Sequence, residues 1–190
     1  KDLRDPLIRY LHSGKPFFGI CVALQALFAS SEEAPEEPGL GILPGRVQRF
    51  TCDLAIPHIG WNGLKARQAS PLFQGLQGNE KFYFVHSYHV APESESDVLT
   101  TTDYGYEFVS AIQRGAMVAT QFHPEKSGKA GLKLLENFLA GTQEAIKPAA
   151  CPQQTILAKR VIACLDVRAN DRGDLVVTKG DQYDVREEGN

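Results

Sequence analysis

Gly19-Ile20-Cys21-Val22-Ala23-Leu24-Gln25 is the stretch whose reading settles the architecture. Phe17, Phe18 and Ile20 form an apolar run leading in, and Leu24, Leu27 and Phe28 recur at helical spacing leading out. The expectation is a strand, a sharp turn and a helix, with the thiol at the corner. Such a corner presents a nucleophile clear of a sheet, and small flanking residues let the chain turn tightly. The helix N-terminus favours the thiolate, the form that attacks. Far downstream, Phe122-His123-Pro124-Glu125 ends a strand and offers a base and a carboxylate. His123 and Glu125 lie two apart in an extended segment, so both side chains point one way and the carboxylate reaches the ring. A thiol needs only such a pair within hydrogen-bond reach to be activated.

Around this pair the chain reads as an ordinary globular protein. Its 190 residues admit one or two domains, and 43% hydrophobic with 23% charged residues suffice for a core. A net charge of −3 offers no field for nucleic acid or an anionic membrane. The longest apolar stretch, Phe17 to Ala29, is interrupted by Gln25 and too short to span a bilayer. KDLRDPLIRY, at the start, resembles neither a signal nor a transit peptide. Cys21, Cys52, Cys151 and Cys164 show no CxxC pair and no metal-ligand spacing, so reduced thiols in a cytosolic setting are expected, although an even count also allows two disulfides. His86 and His89, three apart on one strand, should face opposite ways and make no metal site.

The remaining elements follow from periodicity. Leu3 to His12 reads as an amphipathic helix ended by Gly14-Lys15-Pro16, and Ser30 to Gly39 as a polar, Pro-rich turn. Short strands are expected at 47–50 and 56–59, and an aromatic β-prone run at 81–90. Residues 107–114 and 116–122 read as a hairpin around Arg114-Gly115, and 131–139 as a helix. A linker is expected over 142–156. Beyond it, Ala158 to Val167 is a nearly continuous apolar run, as in a strand buried on both faces, with a second short strand at 175–177. Residues 157–190 are too few for a complete domain, so the expectation is a segment of a longer chain.

The corner and the downstream HPE resemble the class I, triad-type glutamine amidotransferases, over residues 1–141. The resemblance implies an α/β fold with a flavodoxin-like open sheet lacking its N-terminal part. It makes Cys21 the nucleophile that attacks the glutamine amide, with His123 and Glu125 completing the triad. Gln25 matches the family's substrate-contacting glutamine and Glu33 an acidic residue holding the substrate's amino group. Ser87 and Tyr88 sit where the family's backbone cradles the substrate carboxylate. The chain departs from the family in two places. Ala23 replaces the corner's second glycine, and the upstream glycine-rich loop that supplies part of the oxyanion hole is not in this sequence.

Three further segments narrow the resemblance. PHIGWN (57–62), YFVHSY (83–88) and QFHPEKSGK (121–129) resemble the glutaminase of the imidazole glycerol phosphate synthase family. LAKRVIACLDVRANDRGDLVVTKGDQYDVRE resembles the opening strand and loop of that family's cyclase, a (β/α)8 barrel, as in the bifunctional fungal and plant form from histidine biosynthesis. Asp166, near the end of the expected first barrel strand, is where barrel enzymes keep catalytic groups, and it matches one of the family's two acid/base carboxylates. Lys179 matches a lysine on the loop closing over the substrate, and Arg160 part of a charged ring at the ammonia entrance. Trp61 and Tyr83, which by type alone suit a core, move toward the domain interface, and Lys126, beside the triad, likewise reaches toward the cyclase.

The resemblance implies glutamine, a phosphoribosyl-type ribonucleotide and the rest of the barrel as partners. It implies neither nucleic acid nor membrane, no metal and no organic cofactor, and a cytoplasmic location, or a plastid in a plant. Two alternatives stay open: a glutaminase serving another acceptor, and a non-catalytic amidotransferase-like fragment.

Overall fold

The computed structural model describes residues 3–145, 166–169 and 175–178. The chain divides into two units, 1–147 and 148–190. The first unit opens with α1 (Arg4–His12), β1 (Phe17–Ile20), α2 (Val22–Ala26), β2 (Phe28–Ser31) and β3 (Leu43–Arg49). It continues with β4 (His58–Gly63), β5 (Lys65–Ala66), β6 (Lys81–His86), β7 (Tyr88–Pro92) and β8 (Val98–Asp103). It closes with β9 (Glu107–Arg114), β10 (Met117–Thr120) and α3 (Gly128–Ala145).

Eight strands form the main sheet, whose central path is β1-β10-β9-β7-β3-β2, with β8 also paired to β9 and β5 to β8. The α/β reading holds, but the sheet is mixed where a flavodoxin-like sheet is parallel. Parallel pairing is confined to β1 with β10 and β2 with β3, while β10–β9, β9–β8, β9–β7, β7–β3 and β5–β8 are antiparallel. The cause is local. Tight turns at Gly105 and Gly115, both at positive φ, return the chain directly as hairpins, which only antiparallel neighbours allow. β4 and β6 form a separate antiparallel ribbon, with Trp61 opposite Tyr83.

Alternation along the strands sends side chains to two cores. Leu11 of α1, Leu24 of α2, Phe28, Val47, Ile112 and Ala119 share one cluster. Phe50, Phe84, Phe108, Val118, Phe122 and Leu134 of α3 share the other. Neighbours Ala111 and Ile112, or Val118 and Ala119, thus face opposite sides of the sheet, with α1 and α2 on one face and α3 on the other.

Two expected elements differ. The helix after Cys21 stops at Ala26, and Phe28 begins β2; it is buried, so a helix and an inward strand place the same apolar residues inside. The 81–90 run breaks at Ser87 into β6, in the ribbon, and β7, in the main sheet. That break overturns the opposed histidines: His86 and His89 both pack on the Phe50 ring, at centroid distances of 5.2 and 4.7 Å. Val98 to Asp103, which had no expected element, is β8.

In the second unit, β11 (Asp166–Ala169) pairs antiparallel with β12 (Leu175–Thr178). The second strand is where the sequence places it. The expected run from Ala158, the linker beyond Ala145, Arg160 and Lys179 lie outside the described residues.

Candidate active site

Cys21 sits between β1 and α2 with φ 52° and ψ −105°. Among the described residues it is the one non-glycine at positive φ, a conformation that costs on the order of 1–3 kcal/mol and persists where neighbours enforce it. The enforcement is visible. Its N–H donates to the Thr120 carbonyl at 2.7 Å, fixing the corner to the end of β10, and its own carbonyl accepts from Leu24 and Gln25 N–H at 3.0 and 3.3 Å. Gly19 makes room: a Cβ there would stand 3.1 Å from Ala119 Cβ and 3.3 Å from Ala23 Cβ. The extra methyl of Ala23 is therefore accommodated over Gly19.

The other two candidates hang from β6. His123 N–H donates to the Tyr83 carbonyl at 2.9 Å. Ser127 Oγ donates to the His123 carbonyl at 2.6 Å and accepts from Tyr83 N–H at 3.0 Å. His123 Nδ1 and Glu125 Oε1 are 2.6 Å apart, a charge-assisted length. The approach is not the extended one the spacing suggested. His123 is extended, but Pro124–Lys126 forms a 3-10 turn, and this turn carries the carboxylate back to the ring. α3 begins directly after it, and Gly131 lies so close that a Cβ would collide with the Pro124 carbonyl.

Electrostatics favour a charged imidazole. Burial opposes the proton on His123, yet Cys21 and Glu125 together raise its pKa from 6.5 to about 9. Burial would raise the Glu125 pKa, but the His123 hydrogen bond and Lys126 hold it below the usual carboxylate range. Among the influences that raise the His123 pKa, a side-chain hydrogen bond with Cys21 stands first, ahead of that with Glu125. A thiol beside an imidazole that prefers its proton can exist as a thiolate–imidazolium pair, the reactive form for attack on a carbonyl.

The other expected residues scatter. Gln25 turns inward: its Nε2 donates to the Tyr88 carbonyl at 3.0 Å and to Gln121 Oε1 at 3.1 Å. Tyr88 thus lends its carbonyl to Gln25, and the Ser87 carbonyl accepts from Phe50 N–H at 3.1 Å. Glu33 is exposed on the turn after β2, its N–H on Ser31 Oγ at 3.1 Å. Trp61 is 57% exposed and packs edge-on against Tyr83 at 6.0 Å, so neither is a core residue. Ile59 is exposed on the same ribbon, and Lys126 is exposed on the turn after His123, which bridges to Tyr83. Asp166 opens β11. Cys21 and Cys52 are free thiols.

Three residues escaped the sequence reading. Gln121 is wholly buried and its Nε2 donates to Cys21 Sγ at 3.5 Å; standing two before His123, it could have been found by the same i, i+2 logic. Ser127 and Gly131 hold the HPE turn and carry no sequence signal beyond small size. Separately, His86 Nδ1 donates to the Tyr88 carbonyl at 2.7 Å, which leaves Nε2 to accept from His58 Nδ1 at 3.1 Å. Burial lowers the pKa of His58 to about 4 and, with neighbouring histidines adding, that of His86 to about 3, so both are neutral. Among the described residues no His, Cys, Asp and Glu cluster is arranged to hold a metal, and no helix is long and apolar enough to cross a membrane. A cavity of about 240 Å3 bordered by Leu64, Phe73, Leu76 and Phe82 shares no residue with Cys21, His123 or Glu125.

The family model "Glutamine amidotransferase class-I" matches residues 4–142, which carry the Cys21 corner and the His123–Glu125 pair. The chain belongs to that family. Within it, the chain is 52% identical over 200 residues to imidazole glycerol phosphate synthase hisHF of Schizosaccharomyces pombe, covering 96% of this chain and 36% of that protein. It is 49% identical over 192 residues to the chloroplastic hisHF of Arabidopsis thaliana, covering 99% and 32%. It is 50% identical over 141 residues to imidazole glycerol phosphate synthase subunit HisH of Syntrophotalea carbinolica, covering 70% and 68%. The chain spans about a third of the length of the fungal and plant relatives. Among solved structures, a crystal structure of a glutamine amidotransferase matches with TM-score 0.53 at 23% identity, over 72% of this chain and 68% of that one. That likeness shows the fold alone.

Proposed function

We propose that this chain is the glutaminase part, with the opening of the cyclase, of a bifunctional imidazole glycerol phosphate synthase. Cys21 attacks the side-chain carbonyl of glutamine. His123 takes the thiol proton and delivers it to the leaving amine, releasing ammonia and leaving a γ-glutamyl thioester. Water, deprotonated by His123, then hydrolyses the thioester to glutamate and restores the thiol. Glu125 orients the imidazole and stabilises its cation. Gln25, Glu33 and the backbone at Ser87 and Tyr88 hold the glutamine.

The ammonia passes to a (β/α)8 cyclase beginning in the second unit, where Asp166 serves as an acid/base and Lys179 closes over the ribonucleotide. The products are imidazole glycerol phosphate and an aminoimidazole carboxamide ribotide. Arg160 lies at the ammonia entrance, and Trp61, Tyr83 and Lys126 face the cyclase. Residues 1–141 form the glutaminase, 142–156 the linker and 157–190 the start of the barrel.

The observation that carries this reading is the strained Cys21 corner tied to β10, beside a His123–Glu125 hydrogen bond of 2.6 Å. The identity to the hisHF relatives on both sides of residue 147 supports the acceptor. The test is glutamate release by this sequence continued through a whole barrel, with and without the ribonucleotide. Strong stimulation by the nucleotide, lost in Cys21→Ala, is expected, because occupancy of one site should favour the active form of the other. Asp166→Asn should abolish cyclisation while glutamate release continues. Nucleotide-independent turnover would assign another acceptor, and no turnover in either condition would assign a binding role.

A further inference from the structure

We propose that the Gln121 side-chain amide holds the Cys21 sulfur and favours its thiolate form, with Gln25 acting as the latch that fixes the orientation of that amide. This rests on the reading of Cys21 as the nucleophile.

Tyr88 O can only accept, so the Gln25 atom 3.0 Å away is its NH2 group. That same nitrogen lies 3.1 Å from the Gln121 side chain, which must therefore present its oxygen. The remaining end of the Gln121 amide, its NH2, then faces Cys21 Sγ at 3.5 Å. Each orientation follows from the one before it. An N–H donor aimed at sulfur stabilises the anion more than the neutral thiol, because the added charge strengthens the hydrogen bond.

Burial makes the arrangement informative. Gln121 is wholly buried between Thr120 and Phe122, where an apolar residue would satisfy the core and where an amide needs partners for both its ends. Its N–H is also on Ser110 O at 2.8 Å, so the backbone holding the amide belongs to the β9–β10 hairpin. Gln121 thus joins His123, whose pKa Cys21 helps to raise, as a second side chain acting on the sulfur.

The ionisable groups around this unit are His123 and Glu125 after β10 with Lys126 beside Glu125, His86 at the end of β6 with His58 beside it, and Tyr88 and His89 on β7 with Glu32 acting on His89. β1, β10 and β2, which pack against the corner, carry none. A change in the titration of Cys21 on altering Gln121 is therefore read against a fixed set of neighbours.

The test is the rate of Cys21 alkylation by iodoacetamide against pH on this 190-residue chain, with peptide mass mapping to separate Cys21 from Cys52, Cys151 and Cys164. Gln121→Glu keeps shape and the oxygen facing Gln25 while removing the donor. Its Cys21 profile should move up by about one pH unit, with the rate at neutral pH down about tenfold. Gln121→Met, uncharged and of similar length, should move the profile in the same direction and keeps the test open if a buried carboxylate prevents folding. Gln25→Met, which frees the amide to flip, should give a smaller upward shift. Unmoved Cys21 profiles in folded Gln121 variants would overturn the proposal. If instead Cys21 in the unaltered chain reacts with the same pH profile as Cys52, the nucleophile reading itself fails.

Discussion

Replacing Glu125 with Gln isolates the charge in the His123 environment. The amide oxygen can still accept from Nδ1–H over the 2.6 Å contact, so the ring keeps its orientation while losing the anion. His123 is 8% exposed, so solvent screens the effect little. Its pKa is raised from 6.5 to about 9, a preference for the cation of about 3 kcal/mol. Burial works against this rise, and Cys21 and Glu125 share the work of producing it. Glu125 follows Cys21 among the causes of the rise, so its loss should lower the midpoint by about one pH unit, near 1.4 kcal/mol, and leave the ring above its ordinary value. The assay is an NMR titration of the histidine-labelled chain from pH 5 to 10. Within that window the buried His58 and His86 stay neutral, since their pKa values are about 4 and about 3. The same loss should slow glutamate release about tenfold if transition-state charge on the imidazole follows the ground state. A His123 midpoint unchanged by Glu125→Gln would refute the reasoning, because the ion pair would then contribute nothing to the protonation of the ring.

Two other perturbations test the scaffold. Gly131→Ala places a methyl against the Pro124 carbonyl, a backbone atom that cannot swing aside; overpacking of this kind costs about 1–3 kcal/mol, so urea denaturation should show that loss, and Ala at the open Gly141 should show none. The histidine pair governs acid stability. A folded pKa below the unfolded 6.5 means the unfolded chain binds the proton first, so stability falls as pH drops from about 6.5 towards about 4 for His58. His123, shifted the other way, contributes stability that is complete below pH 6.5 and is lost as pH rises through about 9. His58→Phe, which keeps the stacking on Phe84 and Tyr104, should flatten the acid limb by up to about 1.4 kcal/mol per pH unit. Denaturation at several pH values between 4 and 6.5 measures it, and an unaltered slope would contradict the assignment.

What the sequence revealed and what it hid have physical causes. The corner was legible because an apolar strand, one thiol and a helical period meet within a dozen residues. Its helix read too long because Leu24, Leu27 and Phe28 are buried either way, and burial alone does not distinguish the end of a helix from the start of a strand. β8 was invisible for the opposite reason. Thr100, Thr101 and Thr102 are buried, but their hydroxyls are satisfied: Thr100 pairs with Ser110 at 2.9 Å, Thr101 donates to Glu107 at 3.0 Å, and Thr102 donates to the Gly63 carbonyl at 2.9 Å. A polar composition therefore masks an interior strand. The His123–Glu125 hydrogen bond forms through a 3-10 turn, where the spacing suggested an extended segment. Gln121 was in plain view inside the QFHPE motif; only the fold reveals that its amide faces sulfur.

The central claim is that Cys21 is the nucleophile for glutamine, and covalent capture tests it most directly. The chain is incubated with an electrophilic diazoketone analogue of glutamine and measured by intact mass followed by peptide mapping. The account predicts a single adduct on Cys21, suppressed by glutamine and greatly slowed in His123→Ala. Labelling of Cys52 at the same rate as Cys21, or a Cys21 indifferent to both the analogue and glutamine, would contradict it.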